Sequence, residues 1–204
     1  MSEKNEALEY LKDIKSALLD KDSFFPYNYN ALIVWGIIGS IMTFVMPGLI
    51  KSSILYGTIF SVVMMSIGFM TEGMLIKKVN ADYDIESCTK KQKFISKMYF
   101  FLTLFAVTLS ALFAKYDLII PLFALWLFLC GFGDYAVGYI LNIRIFSIVS
   151  NIAMGTSILL IIAMIFSPDL SDLTSPLFYI SEFISFLLLG IAPILVALKL
   201  KGEK

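Results

Sequence analysis

The sequence predicts an all-α polytopic membrane protein: six transmembrane helices, sequential neighbours antiparallel, preceded by an N-terminal amphipathic helix. Two measures of composition and one of arrangement carry this. Of the 204 residues 59% are hydrophobic and only 16% charged, and the mean hydropathy of +0.85 exceeds that of ordinary soluble domains. The apolar residues also fall into six continuous blocks of about the length a helix needs to cross ~30 Å of hydrocarbon. Barrel strands would alternate over about ten residues, and these runs do not.

Residues 1–30 form the first segment, a cytoplasmic amphipathic helix and linker. Ala7, Leu11, Ile14 and Leu18 are spaced three and four apart, and Leu8 and Leu19 widen the stripe. Its acids Glu3, Glu6, Glu9, Asp13, Asp20 and Asp22 outnumber Lys4, Lys12, Lys15 and Lys21, so docking on the bundle or on another protein fits better than attachment to an anionic leaflet. The polar opening MSEKNEALEYLKDIK is unlike a cleavable signal.

The six-helix domain spans 31–198, with crossings at about 31–49, 54–75, 94–114, 118–141, 145–166 and 176–198, and 199–204 is a cytoplasmic tail. Pro47 and Gly48 close the first crossing and Pro168 the fifth, where a missing amide donor stops a helix. Ser175 and Pro176 read as an N-cap and first-turn proline opening the sixth. Gly190 and Pro193 predict a bend within it. Connections around Lys51, Lys115 to Asp117 and Asn142 to Arg144 are short, which places the helices they join side by side and antiparallel. Lys77 to Lys93 is the longest polar loop between crossings.

Cations set the orientation. With the N-terminus inside, only Lys51 and Lys115 fall outside, which predicts both termini in the cytoplasm. Cys88 and Cys130 are expected to form no disulfide. The chain has no histidine, which removes zinc-protease motifs, serine and histidine intramembrane proteases and His-ligated haem. No phosphate loop or dinucleotide fingerprint is present, and no nucleophile with a neighbouring base is recognisable. The sequence thus points away from an enzyme, with no cofactor, no metal site and no nucleic acid. The ten methionines read as flexible packing.

The stretch FLCGFGDYAVGYILNIR, Phe128 to Arg144, carries the chemistry. Gly131, Asp134, Gly138 and Asn142 share one helical face, and Arg144, Ser147, Asn151 and Gly155 repeat the spacing on the next helix. Reversal near Ile143 would set Asn151 near Asp134, Gly155 opposite Gly131 and Ser147 near Gly138. The first hairpin repeats the device, with Gly39 expected against Ser61 and Thr43 against Gly57. A polar contact across such a seam returns about 0.6 kcal/mol, whereas a charged aspartate at mid-helix costs roughly 2.5 to 3.5 kcal/mol on insertion. The imbalance favours a function for Asp134. Glu72 is expected near the inner interface, and Glu182 could line an outer vestibule with Ser181 and Ser185. The binding or ion-coupling candidates are therefore Asp134, Asn151, Glu72, Glu182, Tyr135 and Arg144, with no catalytic residue.

Two functions follow. The first is a non-catalytic membrane component, a sensor, assembly factor or partner subunit, reading out through the N-terminal helix and the 77–93 loop to a protein partner or a second copy of the chain. The second is a small transporter or channel for a cation or proton-coupled solute, using Asp134 and Glu72. IKSALLDKDSFF at the N-terminal helix, glycine-bearing spans, and WLFLCGFGDYAVGYI in the fourth together resemble the uncharacterised small six-span inner-membrane proteins of bacteria. That resemblance implies a fold and a bacterial compartment, and no activity.

Overall fold

The computed structural model describes residues 26–85, 88–167 and 169–202. The N-terminal amphipathic helix lies outside them. The described residues are all-helical, and six helices are long and apolar enough to cross a membrane. They are α1 (Asn30–Ser52), α2 (Ile54–Asp82), α3 (Lys90–Lys115), α4 (Pro121–Leu141), α5 (Arg144–Ile165) and a sixth crossing, Pro176–Gly202. The sixth is composite: α6 (Pro176–Ser185), a π-helical turn (Phe186–Ile191) and α7 (Ala192–Gly202).

Local chemistry sets most boundaries. Ser53 alone separates α1 from α2; it is extended at φ −159°, and its hydroxyl accepts from the Tyr56 amide at 3.4 Å. Pro47 lies inside α1 and does not end it. Pro121 and Pro176 occupy first-turn positions, where the missing N–H removes no intrahelical bond. Asn142 closes α4 in the left-handed region (φ 54°, ψ 40°), with the Ile143 amide reaching back to the Gly138 carbonyl at 2.9 Å. The 77–93 stretch is mostly helical: α2 runs on to Asp82, α3 begins at Lys90, and the link between them is 83–89.

That link is fastened from within. Thr89 and Gln92 form a reciprocal capping box at the start of α3. The Gln92 side chain also exchanges two hydrogen bonds with Asn80 of α2 (3.0 and 2.8 Å) and donates to the Pro26 carbonyl at 3.2 Å. Gln92 and Asn80 are buried. Burying two amides is tolerable here because each side-chain oxygen and nitrogen has a partner. At the far end of the bundle the Leu170 carbonyl accepts from the Ile119 and Ile120 amides at 3.1 and 3.0 Å, and Lys51 donates to the Ser171 carbonyl.

α4 packs most extensively on α5, and α1 on α2 and the π turn. Glycines mark the crossings, and they differ from the expected pairing. A Cβ on Gly39 would lie 2.3 Å from the Leu189 carbonyl oxygen, and one on Gly36 2.5 Å from that of Gly190. These glycines therefore face the sixth crossing, not Ser61. Gly57 lies on Ile50 and not on Thr43. The hydroxyls of Thr43 and Ser61 bond back to the carbonyls of Gly39 and Gly57 on their own helices (2.8 and 2.9 Å), so neither is available as interhelical glue.

The π turn follows from Pro193. A proline lacks its amide donor and its ring crowds the carbonyl four residues back. Just before it the Ala192 amide bonds Leu187, five residues back, so the turn widens before the ring arrives. The bend expected from Gly190 and Pro193 is realised as an inserted residue, and its displaced carbonyls face the glycine side of α1.

Candidate functional site

Asp134 sits among glycines because of the ring beside it. Tyr99, from α3, lies against Gly133, where a Cβ would come within 2.6 Å of the ring. The phenol then reaches the next residue and donates to Asp134 Oδ1 at 2.6 Å. The second carboxylate is held by the same device: Trp35 of α1 lies over Gly68, where a Cβ would meet the indole at 2.5 Å, and its Nε1–H donates to Glu72 Oε2 at 3.0 Å, one turn along α2. In each case a glycine admits an aromatic ring from the preceding helix, and the ring's single N–H or O–H meets an acid. Both acids are half-buried.

One internal cavity of about 130 Å3 is lined by both carboxylates and both aromatic donors. Its wall follows α1 from Leu32 to Pro47, about 22 Å at ~1.5 Å per residue. The polar groups gather toward the Tyr27 end. Burial, then the negative charges of Glu72 and Asp134, push the Tyr27 phenol well above its ordinary value. Toward Pro47 the wall is apolar, with Met42, Met46, Met65, Leu122 and Phe123. Among the described residues no lysine or arginine lines it. Ser185 of α6 also belongs to the lining; its hydroxyl and that of Ser181 are buried with no hydrogen-bond partner among the described residues.

The other candidates lie elsewhere. Asn151 is exposed and Gly155 has open space beside it. The α5 face against α4 consists of Ser150, Ala153 and Ser157: Gly131 fits the Ser150 carbonyl and Ala153, and the Ser157 hydroxyl donates to the Ala124 carbonyl at 2.7 Å. The expected Asp134–Asn151 pair is therefore replaced by Asp134–Tyr99, because small side chains set the seam and Asn151 falls outside it. Ser147 does meet Gly138, whose Cβ position is 3.0 Å from the Ser147 hydroxyl. Tyr135 and Arg144 are exposed, and Glu182 is half-exposed; none of the three lines the cavity.

Sequence reasoning missed Trp35, Tyr99 and Tyr27. Gly68 four residues before Glu72 and Gly133 next to Asp134 were visible, but the partner rings are 37 and 35 residues from their acids. Among the described residues no three cysteine, aspartate or glutamate side chains are grouped to hold a metal ion. The arrangement can accept positive charge or protons at two acids and surround the remainder of an occupant with hydrocarbon and aromatic faces. Comparison with protein-family models, curated proteins and solved structures finds no match.

Proposed function

We propose that the chain is a small inner-membrane transporter for a cation or a proton-coupled solute, with Glu72 and Asp134 as the exchanging acids. In this reading sequential crossings run antiparallel and both termini are cytoplasmic. The Ser53 turn and the Asn142–Ile143 reversal support the antiparallel order. The cation distribution supports the orientation. The observation that carries the function is a cavity into which α2 and α4 each bring a carboxylate and no element brings a described basic group. A charged aspartate at mid-helix costs roughly 2.5 to 3.5 kcal/mol to insert, and one donor from a neighbouring helix returns about 0.6 and seldom more than about 1.7 kcal/mol. Packing alone leaves Asp134 unexplained, and Glu72 shares its cavity. A solute that discharges them on every cycle accounts for the remainder.

The test is flux in proteoliposomes. Protein reconstituted with a trapped pH indicator should move protons when an inward gradient of the transported cation is applied. Asp134→Asn and Glu72→Gln should each abolish the movement while leaving the Tyr99 and Trp35 acceptors in place. Silence across a broad panel of inorganic and organic cations would return the protein to the sensor, assembly-factor or partner-subunit class, in which the N-terminal helix and the 77–93 stretch are the working surfaces.

A further inference from the structure

The cavity also restricts what the occupant can be. A hard cation such as Ca2+ or Mg2+ takes about six or more oxygen ligands. The wall offers two carboxylates, each with one oxygen already accepting from an aromatic donor, and a Thr43 hydroxyl already committed to the Gly39 carbonyl. Most of the remaining surface is methionine, leucine, phenylalanine and tryptophan, which cannot replace a hydration shell. An organic cation makes no such demand. Its charged end pairs with the open carboxylate oxygens and the faces of Trp35 and Tyr99, and its body takes the place of lipid-like packing.

Size and polarity refine this further. A dry cavity of ~150 Å3 is enough to bind benzene, so a space of about 130 Å3 suits roughly one ring or a short alkyl chain. The unbranched side chains of Met42, Met46 and Met65 can re-pack around different bodies. Ser185 is 1% exposed and belongs to the cavity lining, and its hydroxyl has no hydrogen-bond partner among the described residues. The buried hydroxyls of Thr43, Ser61 and Ser150 bond back to their own helix, and that of Ser157 reaches the Ala124 carbonyl of α4.

We propose that the cavity binds a protonated amine on a small apolar body, its ammonium at Glu72 and Asp134 and its body directed toward Met42 and Phe123. This rests on the reading of the cavity as a cation site and names its ligand class. Binding can be measured without flux, because the only two tryptophans in the chain, Trp35 and Trp126, both line the cavity. Purified protein in detergent is titrated with phenethylammonium while tryptophan emission is followed, with 2-phenylethanol and phenylacetate as neutral and anionic isosteres. The expected result is saturable quenching by the amine alone, weakened about tenfold or more by Glu72→Gln and by Asp134→Asn. Both variants must elute as the wild type does in size exclusion, which their retained acceptors favour. Equal binding of 2-phenylethanol, unchanged affinity in both carboxamide variants, or no saturable binding while sodium or proton flux persists would each overturn the ligand class. Amine binding without amine flux would support it and refute the carrier.

Discussion

Replacing Gly39 with alanine tests the crossing that positions the cavity wall. The new Cβ would sit 2.3 Å from the Leu189 carbonyl oxygen, 2.8 Å from its carbonyl carbon and 3.3 Å from its Cβ. Ordinary contacts between carbons lie at about 3.5–4.0 Å, so α1 and the π turn must separate by about 1 Å. Two of the three obstructing atoms are backbone, and no rotamer change relieves them. Overpacking of this kind costs about 1–3 kcal/mol, and replacing a helical glycine returns about 0.5–1 kcal/mol. The net expectation is a loss of about 1–2 kcal/mol. Gly155→Ala is the matched control, because nothing lies within 4 Å of its Cβ position, and it should gain about 0.5–1 kcal/mol. Both are measured as the fraction remaining monodisperse in size exclusion after heating in detergent. A neutral Gly39→Ala, or a Gly155→Ala as damaging as Gly39→Ala, would refute the assignment of these glycines.

Three further outcomes are expected. Gln92→Ala removes four side-chain hydrogen bonds and leaves the Asn80 amide buried without its partner, so thermal stability should fall by about 2–4 kcal/mol; a shift within error would show that water takes over the site. In the loop between α5 and α6, hydrogen bonds from the Ser171 backbone and hydroxyl hold Asp169 below the ordinary carboxylate range, and bonds from the Thr174 hydroxyl and backbone do the same for Asp172. Depressed folded values mean that the ordering of this loop is complete above the ordinary value of 3.8 and is lost as pH falls through the lower folded values. The Ser171 and Thr174 amide resonances should therefore stay fixed down to about pH 4 and move below it, and movement already near about pH 6 would contradict the bonding. Cys88 is exposed and Cys130 half-buried in the cavity wall, so in inside-out vesicles an impermeant maleimide should label Cys88 and spare Cys130. Labelling of Cys88 in intact cells would reverse the topology.

Much of the architecture was legible because the bilayer acts as a strict solvent. Each crossing had to bury its own backbone polar groups, so six apolar blocks became six helices. Helix ends were less legible. Residues 77–82 and 90–93 are polar enough to read as loop, yet they continue α2 and α3, because the Asn80–Gln92 pair satisfies amides that the sequence could only present as hydrophilic. Faces were harder again. On α5 the stripes Ser147, Asn151, Gly155 and Ser150, Ala153, Ser157 have similar spacing and similar polarity. What separates them is how closely Gly131 can approach the Ser150 carbonyl and Ala153, and periodicity carries no information about that fit.

The acids illustrate the same division. Asp134 stood out for its cost in hydrocarbon and Glu72 as an acid expected near the inner interface, and the structure brings them to one cavity. Their donors did not stand out, since a tryptophan or tyrosine in an apolar span reads as filling. Trp35 and Tyr99 acquire their roles only when α1 meets α2 and α3 meets α4 at glycines.

The six-residue turn at Phe186–Ile191 has a bearing on anyone comparing this chain with others. One surplus residue advances the azimuth of everything after it by about 100°, so Ser185 and Val196 cannot be drawn on a single helical wheel. A homologue shorter by one position there would keep its length and greasiness but swing its C-terminal half onto different neighbours. Alignment of that crossing should be scored separately on either side of Gly190.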